Sequence, residues 1–485
     1  MEITSGKGLL AAFIVPHPPL AVHEVGKGKE NEIEPTLQAY RQVACEIAEL
    51  KPDTIIVTSP HSILYADYFH ISPGSGATGD FGQFGAGQVK LSVSYDEDLA
   101  HAIEDLAWKE GIPAGMEGER DPKLDHGTMV PLYFVNQKYQ DYKLIRIGLS
   151  GEPAAMHYRL GQCIRKAAEA SGKRVILIAS GDLSHKLKES GPYGYAKEGP
   201  EFDRQVTEAM QKGDFLAFLN FDPAFCEAAA ECGLGSFRIM AGAWAGEAVT
   251  SELLSYEGPF GVGYAVASFY PIRLDKHASE QAADLTKEQP GIDVLQEYER
   301  QQARKIEQVR NGEDPYASLA RKSVEYYVNH QKQMNADIYM GMDLPAELLN
   351  TRAGAFVSLK KNGQLRGCIG TILPTQATLA EEIVGNGVSA CARDPRFLPV
   401  TPGELPDLVY SVDVLSEPER IESAEELDVK RYGVIVTQGN RRGLLLPNLD
   451  GVDTIEEQIA IASDKAGIRR GSEVELQRFE VVRHH

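Results

Sequence analysis

The sequence predicts an α/β fold, with a mixed sheet sandwiched between helices, followed by a smaller α+β domain. Three observations lead to this prediction. Up to about residue 272, short β-branched runs alternate with segments of helical periodicity, which indicates a mixed or mostly parallel sheet covered by helices. Beyond about residue 298, strands and helices no longer alternate in this way. The 485 residues also exceed one typical hydrophobic core, so two or three domains are expected.

The elements of the N-terminal domain follow from apolar spacing, because helices show a 3.6-residue period and buried strands form short β-rich runs. The predicted helices cover residues 37–50, 97–110 and 156–170, and another begins at 130–134. The predicted strands cover residues 55–57, 143–148, 175–178 and 261–270. Residues 72–88 are rich in glycine and predict a long loop, which is uncommon unless it serves a site or moves.

A linker is predicted at residues 273–297, between an N-terminal domain at 1–272 and a C-terminal domain at 298–485. Residues 274–292 are polar and charged and contain Pro290 and Gly291, a composition typical of domain boundaries. In the C-terminal part, helices are predicted at 293–311, 316–331, 375–392 and 454–466, and strands at 354–360, 365–371, 408–415, 433–437 and 442–446.

The composition argues against several classes of function. A net charge of −21 disfavours a nucleic-acid or anionic-membrane partner, since either would be repelled. No segment approaches the ~20 apolar residues that span a bilayer. The N-terminus lacks the basic and apolar regions of a signal peptide, so a cytoplasmic location is expected. The six cysteines are scattered, which favours reduced thiols over disulfides or a zinc ribbon, and no glycine-rich phosphate loop follows a strand.

Three histidines come directly after predicted strands. His17 lies in the segment PHPP after an apolar run, and His61 follows another apolar run that ends in Ser-Pro. His185 ends the segment SGDLSH, whose glycine, aspartate and serine indicate a turn after the strand at 175–178. Ligands collect at the carboxyl ends of strands in open α/β sheets. The three histidines are therefore candidates for one site.

Two histidines from different strand ends suit a divalent metal site that a carboxylate completes. This 2-His-1-carboxylate arrangement leaves positions open on Fe(II). His17 and His61 are predicted to supply the nitrogens and Glu231 the carboxylate, with Glu227 as the alternative one helical turn earlier. His185 and His126 remain for acid–base work or substrate contacts, because the imidazole pKa lies near neutrality. Each residue taken alone is also compatible with a structural role.

Residues 1–272 resemble the LigB-type class III extradiol dioxygenases and their relatives, the Memo family. The resemblance rests on segments that stand in the family's order: PHPP at 16–19, SPH at 59–61, LDHG at 124–127, SGDLSH at 180–185 and ECG at 231–233. It implies that His17, His61 and Glu231 hold Fe(II). It also implies that His185 is the acid–base residue and that His126 lines the pocket.

The Memo resemblance adds an alternative at the same position. Memo-type relatives carry a cysteine near the late carboxylate and are not clear ring-cleavage enzymes, and here Cys232 directly follows Glu231. The segment matches both patterns, so it implies either an Fe(II) oxygenase or a thiol-containing metal or redox site. Copper, zinc or another divalent metal is the alternative to Fe(II).

The C-terminal domain carries a candidate thiol, Cys368, in the segment LRGCIG at 365–370. Nearby positive charge favours a redox or nucleophilic thiol, whereas cysteines are also common as buried small apolar residues. No histidine occurs between His330 and His484 to act as its base. Residues 298–485 resemble the AMMECR domain family, whose signature is LRGCIG. The fusion resembles two parts of the AmmeMemoRadiSam set, which implies a radical SAM protein as partner.

Together these features predict a non-haem Fe(II)-dependent, extradiol-dioxygenase-like oxidoreductase that acts on a small catechol or aminophenol-like molecule. In such an enzyme, His185 would accept a proton from the substrate hydroxyl. Two alternatives stay open. One is a non-oxygenase metal or redox protein that works with a radical SAM partner, and the other is a non-catalytic adaptor.

Overall fold

The computed structural model describes residues 6–272, 293–449 and 451–485. They form two compact units that divide between Glu299 and Arg300. The predicted linker at 273–297 lies outside the described residues as far as residue 292. The helix Val294–Asn311 follows, and the division between the two units falls within this helix.

The strands of the first unit are short and mostly buried. In chain order they are β1 Gly8–Val15, β2 Thr54–Ser59, β3 Phe69–His70, β4 Gly76–Phe81, β5 Ala86–Ser94, β6 Ala114–Gly115, β7 Lys143–Gly148, β8 Arg174–Ser180, β9 Val249–Glu257 and β10 Tyr264–Pro271.

Six of these described strands form one sheet in the order β7-β2-β8-β1-β10-β9. β2 runs parallel to both β7 and β8, and β8 runs parallel to β1 from Arg174 opposite Gly8 to Ser180 opposite Val15. The last two strands, β10 and β9, are antiparallel. The mixed sheet that the sequence predicts is confirmed.

Helices cover both faces of this sheet, as predicted. They are α1 His23–Gly26, α2 Glu34–Leu50, α3 Glu97–Lys109, α4 His126–Val135, α5 Ala154–Ser171, α6 Glu198–Lys212, α7 Phe215–Asn220, α8 Pro223–Ala229 and α9 Leu234–Ala243. The two-residue period of β1 divides its side chains between two cores. Ala12 and Ile14 face the core that contains α3, α5 and α9, and Phe13 and Val15 face the core that contains α2 and α4.

The glycine-rich segment predicted as a long loop is a hairpin, so that prediction is wrong. β4 and β5 pair antiparallel, and a 3-10 turn at Gly82–Phe84 joins them. Phe81 and Leu91 are buried against the α2 and α4 core. The five glycines and the polar outer positions of this hairpin hide its alternation from a search for apolar runs.

The second unit is built on an antiparallel sheet of seven described strands. They are β11 Gly354–Lys361, β12 Gln364–Gly370, β13 Leu408–Leu415, β14 Glu419–Ile421, β15 Tyr432–Gln438, β16 Arg441–Leu445 and β17 Glu475–His484. Their order is β12-β11-β13-β17-β15-β16, and β14 pairs with β17. The α+β prediction is confirmed, although the sequence patterns did not indicate β14 or β17.

The remaining helices are α10 Val294–Asn311, α11 Pro315–His330, α12 Ala336–Tyr339, α13 Ala346–Asn350, α14 Leu379–Ala392 and α15 Ile455–Lys465. α14 begins where Thr378 accepts the backbone N–H of Glu381, a normal helix cap. α11 and α14 pack on the strands β11 and β13 through a buried core.

Candidate metal centre

The site begins where three neighbouring strands end. β2, β8 and β1 lie side by side and run in the same direction, so their carboxyl ends share one edge of the sheet. His61 follows β2, His17 follows β1, and the turn that ends in His185 follows β8. The strand order explains how residues far apart in the chain converge.

His17 is buried, with 1% of its surface exposed, and its ring orientation is fixed. Ser180 Oγ donates its proton to Gly127 O at 2.6 Å. It must therefore accept the proton of His17 Nδ1, which lies 3.0 Å away. Burial lowers the pKa of His17 well below its ordinary value, and His61 adds to that shift. The ring is neutral, and its Nε2 atom presents a lone pair.

Two further ligand atoms lie close to this lone pair. His61 Nε2 lies 3.0 Å and Cys232 Sγ 3.7 Å from His17 Nε2, and the donor atoms of all three residues lie within 4.8 Å of one another. Two nitrogens that bind one ion at about 2.1 Å and at a right angle lie about 3.0 Å apart. The donor set therefore fits a single transition-metal ion.

Glu231, predicted as the carboxylate ligand, does not belong to this group of donor atoms. Its Oε2 atom accepts the backbone N–H of Leu234 at 2.7 Å, where it caps the start of α9. Burial raises its pKa, and the nearby Arg238 partly offsets that shift. Glu227, the alternative, is exposed on α8. Cys232 supplies the third donor atom beside the two histidines, and a ligand role for Glu231 stays a prediction.

Asp182 is a site residue that the sequence patterns indicated only as part of a turn. Its carboxylate is 7% exposed and accepts the backbone N–H of His17 at 2.7 Å. The second oxygen lies 3.8 Å from His17 Nε2. Burial raises the pKa of Asp182, and His185, His61 and His126 counteract that shift. The carboxylate fixes the backbone of His17 and also faces the ligand atoms.

His185 lies close to the same candidate metal centre. Its Nδ1 atom donates to the carbonyl of Ala230 at 2.6 Å, which leaves Nε2 as the acceptor. The residue is close enough to His17 and His61 that a positive charge on its ring would lower the pKa of both. The structure thus brings the predicted acid–base histidine to the candidate metal centre.

His126 begins α4 and packs against His61, with ring centroids 4.0 Å apart and ring planes tilted by 33°. Burial and the two neighbouring histidines, His61 and His17, lower the pKa of His126 to about 4. Asp125 caps this helix by accepting the N–H of Thr128 at 3.0 Å. A neutral imidazole therefore lines the site, where the sequence predicts a pocket residue.

A cavity of about 520 Å³ opens beside these rings. His61 and His126 line one part of it, and Arg146 lines another. Arg146 lies inside β7 and is 2% exposed. Sequence reasoning missed this arginine because it stands within an apolar strand and has no neighbouring motif.

Cys368, the candidate thiol of the second unit, is partly buried on β12. Its Sγ atom lies 3.2 Å from Ser358 Oγ. Its backbone N–H donates to Asp394, and its carbonyl accepts from Arg396. These contacts hold the backbone of the strand, and a nucleophilic or redox role for the thiol stays a prediction.

Among the described helices, none has the combined length and apolar character needed to cross a bilayer.

Comparison with protein families gives two matches. The family described as the catalytic LigB subunit of aromatic ring-opening dioxygenase matches residues 11–267. The AMMECR1 family matches residues 317–484. The first match contains every residue of the candidate metal centre.

Three relatives illustrate the range of similarity. A protein of Clostridium acetobutylicum is 39% identical over 483 residues, which cover 97% of this chain and 98% of the relative. A Thermotoga maritima protein is 52% identical over 175 residues, 36% of this chain and 98% of its own length. The 2-aminophenol 1,6-dioxygenase beta subunit of a Pseudomonas species is 28% identical over 289 residues, 54% of this chain and 93% of that subunit.

Proposed function

We propose that this chain, which belongs to the LigB family through residues 11–267 and carries an AMMECR1 domain at 317–484, is a metal-dependent oxidoreductase of small aromatic molecules. The observation that carries the proposal is the convergence of His17 Nε2 and His61 Nε2 at 3.0 Å. A neutral histidine whose Nδ1 proton is held by Ser180 presents its other nitrogen as a ligand.

The substrate class is inferred from a distant relative and from the cavity. The similarity to a 2-aminophenol dioxygenase subunit supports an aromatic ring with adjacent hydroxyl and amino groups, or two hydroxyls. A cavity of about 520 Å³ suits a molecule of this size. Fe(II) is the metal that the ring-opening chemistry calls for, and a thiol beside two imidazoles would also accept copper or zinc.

When bound, the metal would supply a Lewis acid and a route for electrons between a chelated ring and dioxygen. The chain's own residues prepare the substrate. His185 accepts the proton of the substrate hydroxyl at Nε2, because its Nδ1 proton is committed to Ala230 O. His126 is neutral, as its pKa of about 4 requires, and forms an uncharged wall of the pocket beside His61.

Cys232 favours a second candidate function. A thiolate ligand in place of a carboxylate alters the charge and the redox behaviour of the metal. In that case the domain is a Memo-type metal or redox protein that does not insert oxygen. A radical SAM protein as partner belongs to this second candidate and likewise stays a proposal.

The test is anaerobic purification followed by metal analysis of the wild type, His17→Ala, Cys232→Ala and His101→Ala. His101 is a matched control, because its side chain is 62% exposed on α3 and pairs with Glu104. We expect metal in the wild type and in the control, and at least a tenfold loss in His17→Ala. An equal metal content in the wild type and in His17→Ala would rule out His17 as a metal ligand and, with it, the proposed metal site.

Oxygen uptake then separates the two candidates. Reconstituted protein is given 2-aminophenol or catechol in air-saturated buffer. Uptake that requires His17 and His185 supports ring-opening chemistry. Bound metal without uptake on either compound supports the redox protein instead.

A further inference from the structure

Tyr193 is an exposed aromatic residue that contacts the acid–base histidine. Its ring meets the ring of His185 edge to face, with centroids 5.2 Å apart and ring planes at 90°. The residue is nevertheless 61% exposed, so more than half of its surface is open to a ligand. A single exposed aromatic residue is common on protein surfaces. What distinguishes Tyr193 is its contact with His185.

The loop that carries Tyr193 is closed at its base like a hairpin. Leu187 and Tyr195 form an antiparallel bridge. One residue further out, the backbone N–H of Ala196 donates to the carbonyl of Lys186 at 3.1 Å. These contacts hold the two ends of the loop together, and Tyr193 lies between them.

The same loop is also anchored to the segment that precedes β10. The N–H of Leu187 donates to the carbonyl of Gly261 at 3.1 Å, and Lys188 Nζ donates to the carbonyl of Pro259 at 2.8 Å. Gly191 and Gly261 lie so close that a Cβ added at Gly261 would be 2.9 Å from Gly191 Cα. Glycine permits such an approach of two backbones. The position of the Tyr193 ring is therefore set by a well-braced loop.

The contact matters because of how His185 is oriented. Its Nδ1 proton is donated to the carbonyl of Ala230 at 2.6 Å, which leaves Nε2 as the atom that accepts a proton. A substrate hydroxyl at hydrogen-bond distance from Nε2 places the first carbon of the substrate ring one bond beyond it. A ring held there lies within reach of an aromatic side chain that already touches the imidazole.

We propose that Tyr193 is a substrate-binding residue, whose ring packs on the aromatic ring of the substrate while His185 accepts the hydroxyl proton. Offset or edge-to-face aromatic pairs are favourable beyond the area that they bury. A chelating molecule without a ring would bind the metal but gain nothing from Tyr193. The proposal rests on the proposed function, because it requires an aromatic substrate whose hydroxyl reaches His185.

The test compares catechol with acetohydroxamate, since both can bind a metal through two oxygens and only catechol has an aromatic ring. Binding is measured by calorimetry without oxygen on the Fe(II)-loaded wild type, Tyr193→Ala, Tyr193→Phe and Trp108→Ala. Phenylalanine keeps the ring and removes the hydroxyl. Trp108 is the matched control, because it is an aromatic residue of the same unit that is 66% exposed on α3.

Tyr193→Ala should bind catechol about fivefold or more weakly than the wild type, the effect of one aromatic pair, and acetohydroxamate with less than a twofold change. Tyr193→Phe and Trp108→Ala should bind both probes like the wild type. An unchanged affinity of Tyr193→Ala for catechol, or an equal loss for both probes, would overturn the proposal. If Tyr193→Ala does not fold, Tyr193→Leu decides. A loss of at least threefold for catechol alone supports the proposal, and an unchanged affinity contradicts it.

Metal analysis and oxygen uptake separate this proposal from the proposed function. If the wild type binds metal and takes up oxygen with catechol, but Tyr193→Ala binds catechol equally well, this proposal fails alone. If catechol binding depends on Tyr193 and no oxygen is taken up, the ring-opening function fails alone. If the wild type binds no metal, the titration is repeated on the metal-free protein. An affinity for catechol that depends on Tyr193 then supports the contact, and its absence overturns both.

Discussion

The Nε2 atoms of His17 and His61 lie 3.0 Å apart, although the two residues are 44 positions apart in the chain. Both follow strands that border β8, and the hydrogen bond from His17 Nδ1 to Ser180 turns one lone pair toward the other ring. This relationship links the topology of the sheet to the chemistry of the site, and the first predictions follow from it.

Replacing Ser180 by alanine should weaken metal binding without removing a ligand. The hydroxyl fixes the tautomer of His17, and losing such a second partner lowers metal affinity by roughly 10–100-fold. A chelator competition assay measures the effect. Ser184→Ala is the matched control, because Ser184 Oγ bonds to Ala229 O rather than to a ligand. Equal affinity in Ser180→Ala and the wild type would contradict the assigned tautomer.

Substitutions at Glu231 and Cys232 should change different quantities, stability in the first case and metal content in the second. Cys232→Ala removes a donor atom, so metal content falls while the fold persists. Glu231→Ala keeps the three donor atoms of the candidate metal centre. It loses the hydrogen bond to the Leu234 N–H, which costs about 1–2 kcal/mol of unfolding free energy. Metal analysis and chemical denaturation measure the two quantities. Full metal loss in Glu231→Ala with none in Cys232→Ala would restore the carboxylate as the ligand.

Asp203 should make stability depend on pH near neutrality. It is completely buried, accepts from Ser184 N and Tyr256 Oη, and burial raises its pKa to about 7. The folded protein thus holds this proton more tightly than the unfolded chain. The contribution of Asp203 is fully present below about pH 4 and is lost as pH rises towards 7, by a few kcal/mol at most, roughly 1.4 per pKa unit.

Asp203→Asn should flatten this pH dependence, because the amide keeps an oxygen for Ser184 N and does not ionise. Denaturation curves between pH 5 and 8 show the difference. The exposed Asp105→Asn serves as the control and should keep the slope of the wild type. An identical slope in Asp203→Asn and the wild type would show that Asp203 is not the group that titrates.

Gly181→Ala should disrupt the candidate metal centre through backbone contact. An added Cβ would lie 2.1 Å from Gly233 Cα, so the turn before His185 and the segment after Cys232 must separate. Overpacking of this kind costs about 1–3 kcal/mol or more, and metal content should fall with it. Gly385→Ala, which meets nothing within 4 Å, should leave metal content unchanged.

Asp394 should stabilise the second unit. It is 4% exposed, accepts the N–H of Cys368 at 2.9 Å and is bonded by Arg396. The Arg396 hydrogen bond holds the pKa of Asp394 below its usual range, so this stability is present above about pH 4 and is lost as the carboxylate becomes protonated. Asp394→Ala should cost roughly 1.5–3 kcal/mol, measured by denaturation at pH 7. If Asp394→Ala lost as much unfolding free energy at pH 2 as at pH 7, the ionised carboxylate would not be the source of the stability.

The sequence predicts the sheet and the histidines well, because both depend on local patterns. Buried strands form apolar runs, and His17 and His61 stand directly behind two of them. Glu231 and Cys232 differ in a way that local patterns do not show. They are adjacent in sequence, and the tertiary structure separates their roles: Glu231 faces the Leu234 N–H and Arg238 of α9, whereas Cys232 faces His17.

The sequence patterns did not indicate Arg146, and the reason is different. A charged residue in an apolar strand carries no periodic signal, and its partners Ser72 and Lys123 come from distant loops. The hairpin β4–β5 was missed because glycines weaken strand propensity, although its inner face is apolar. Tertiary contacts therefore determine the lining of the pocket, whereas local sequence patterns are enough to predict the strands and helices that surround it.

The separation of Cys232 from His17 by 215 positions has a consequence for biosynthesis. A nascent chain that has emerged only through β8 already displays both histidines but has not yet produced the thiol. In the proposed metal centre, complete coordination must wait until translation has passed α8 and the segment that carries Cys232 has folded back onto the sheet edge. The third donor of the proposed centre is therefore made late in the synthesis of the first unit, ahead of α9 and of the strands β9 and β10 that complete the sheet.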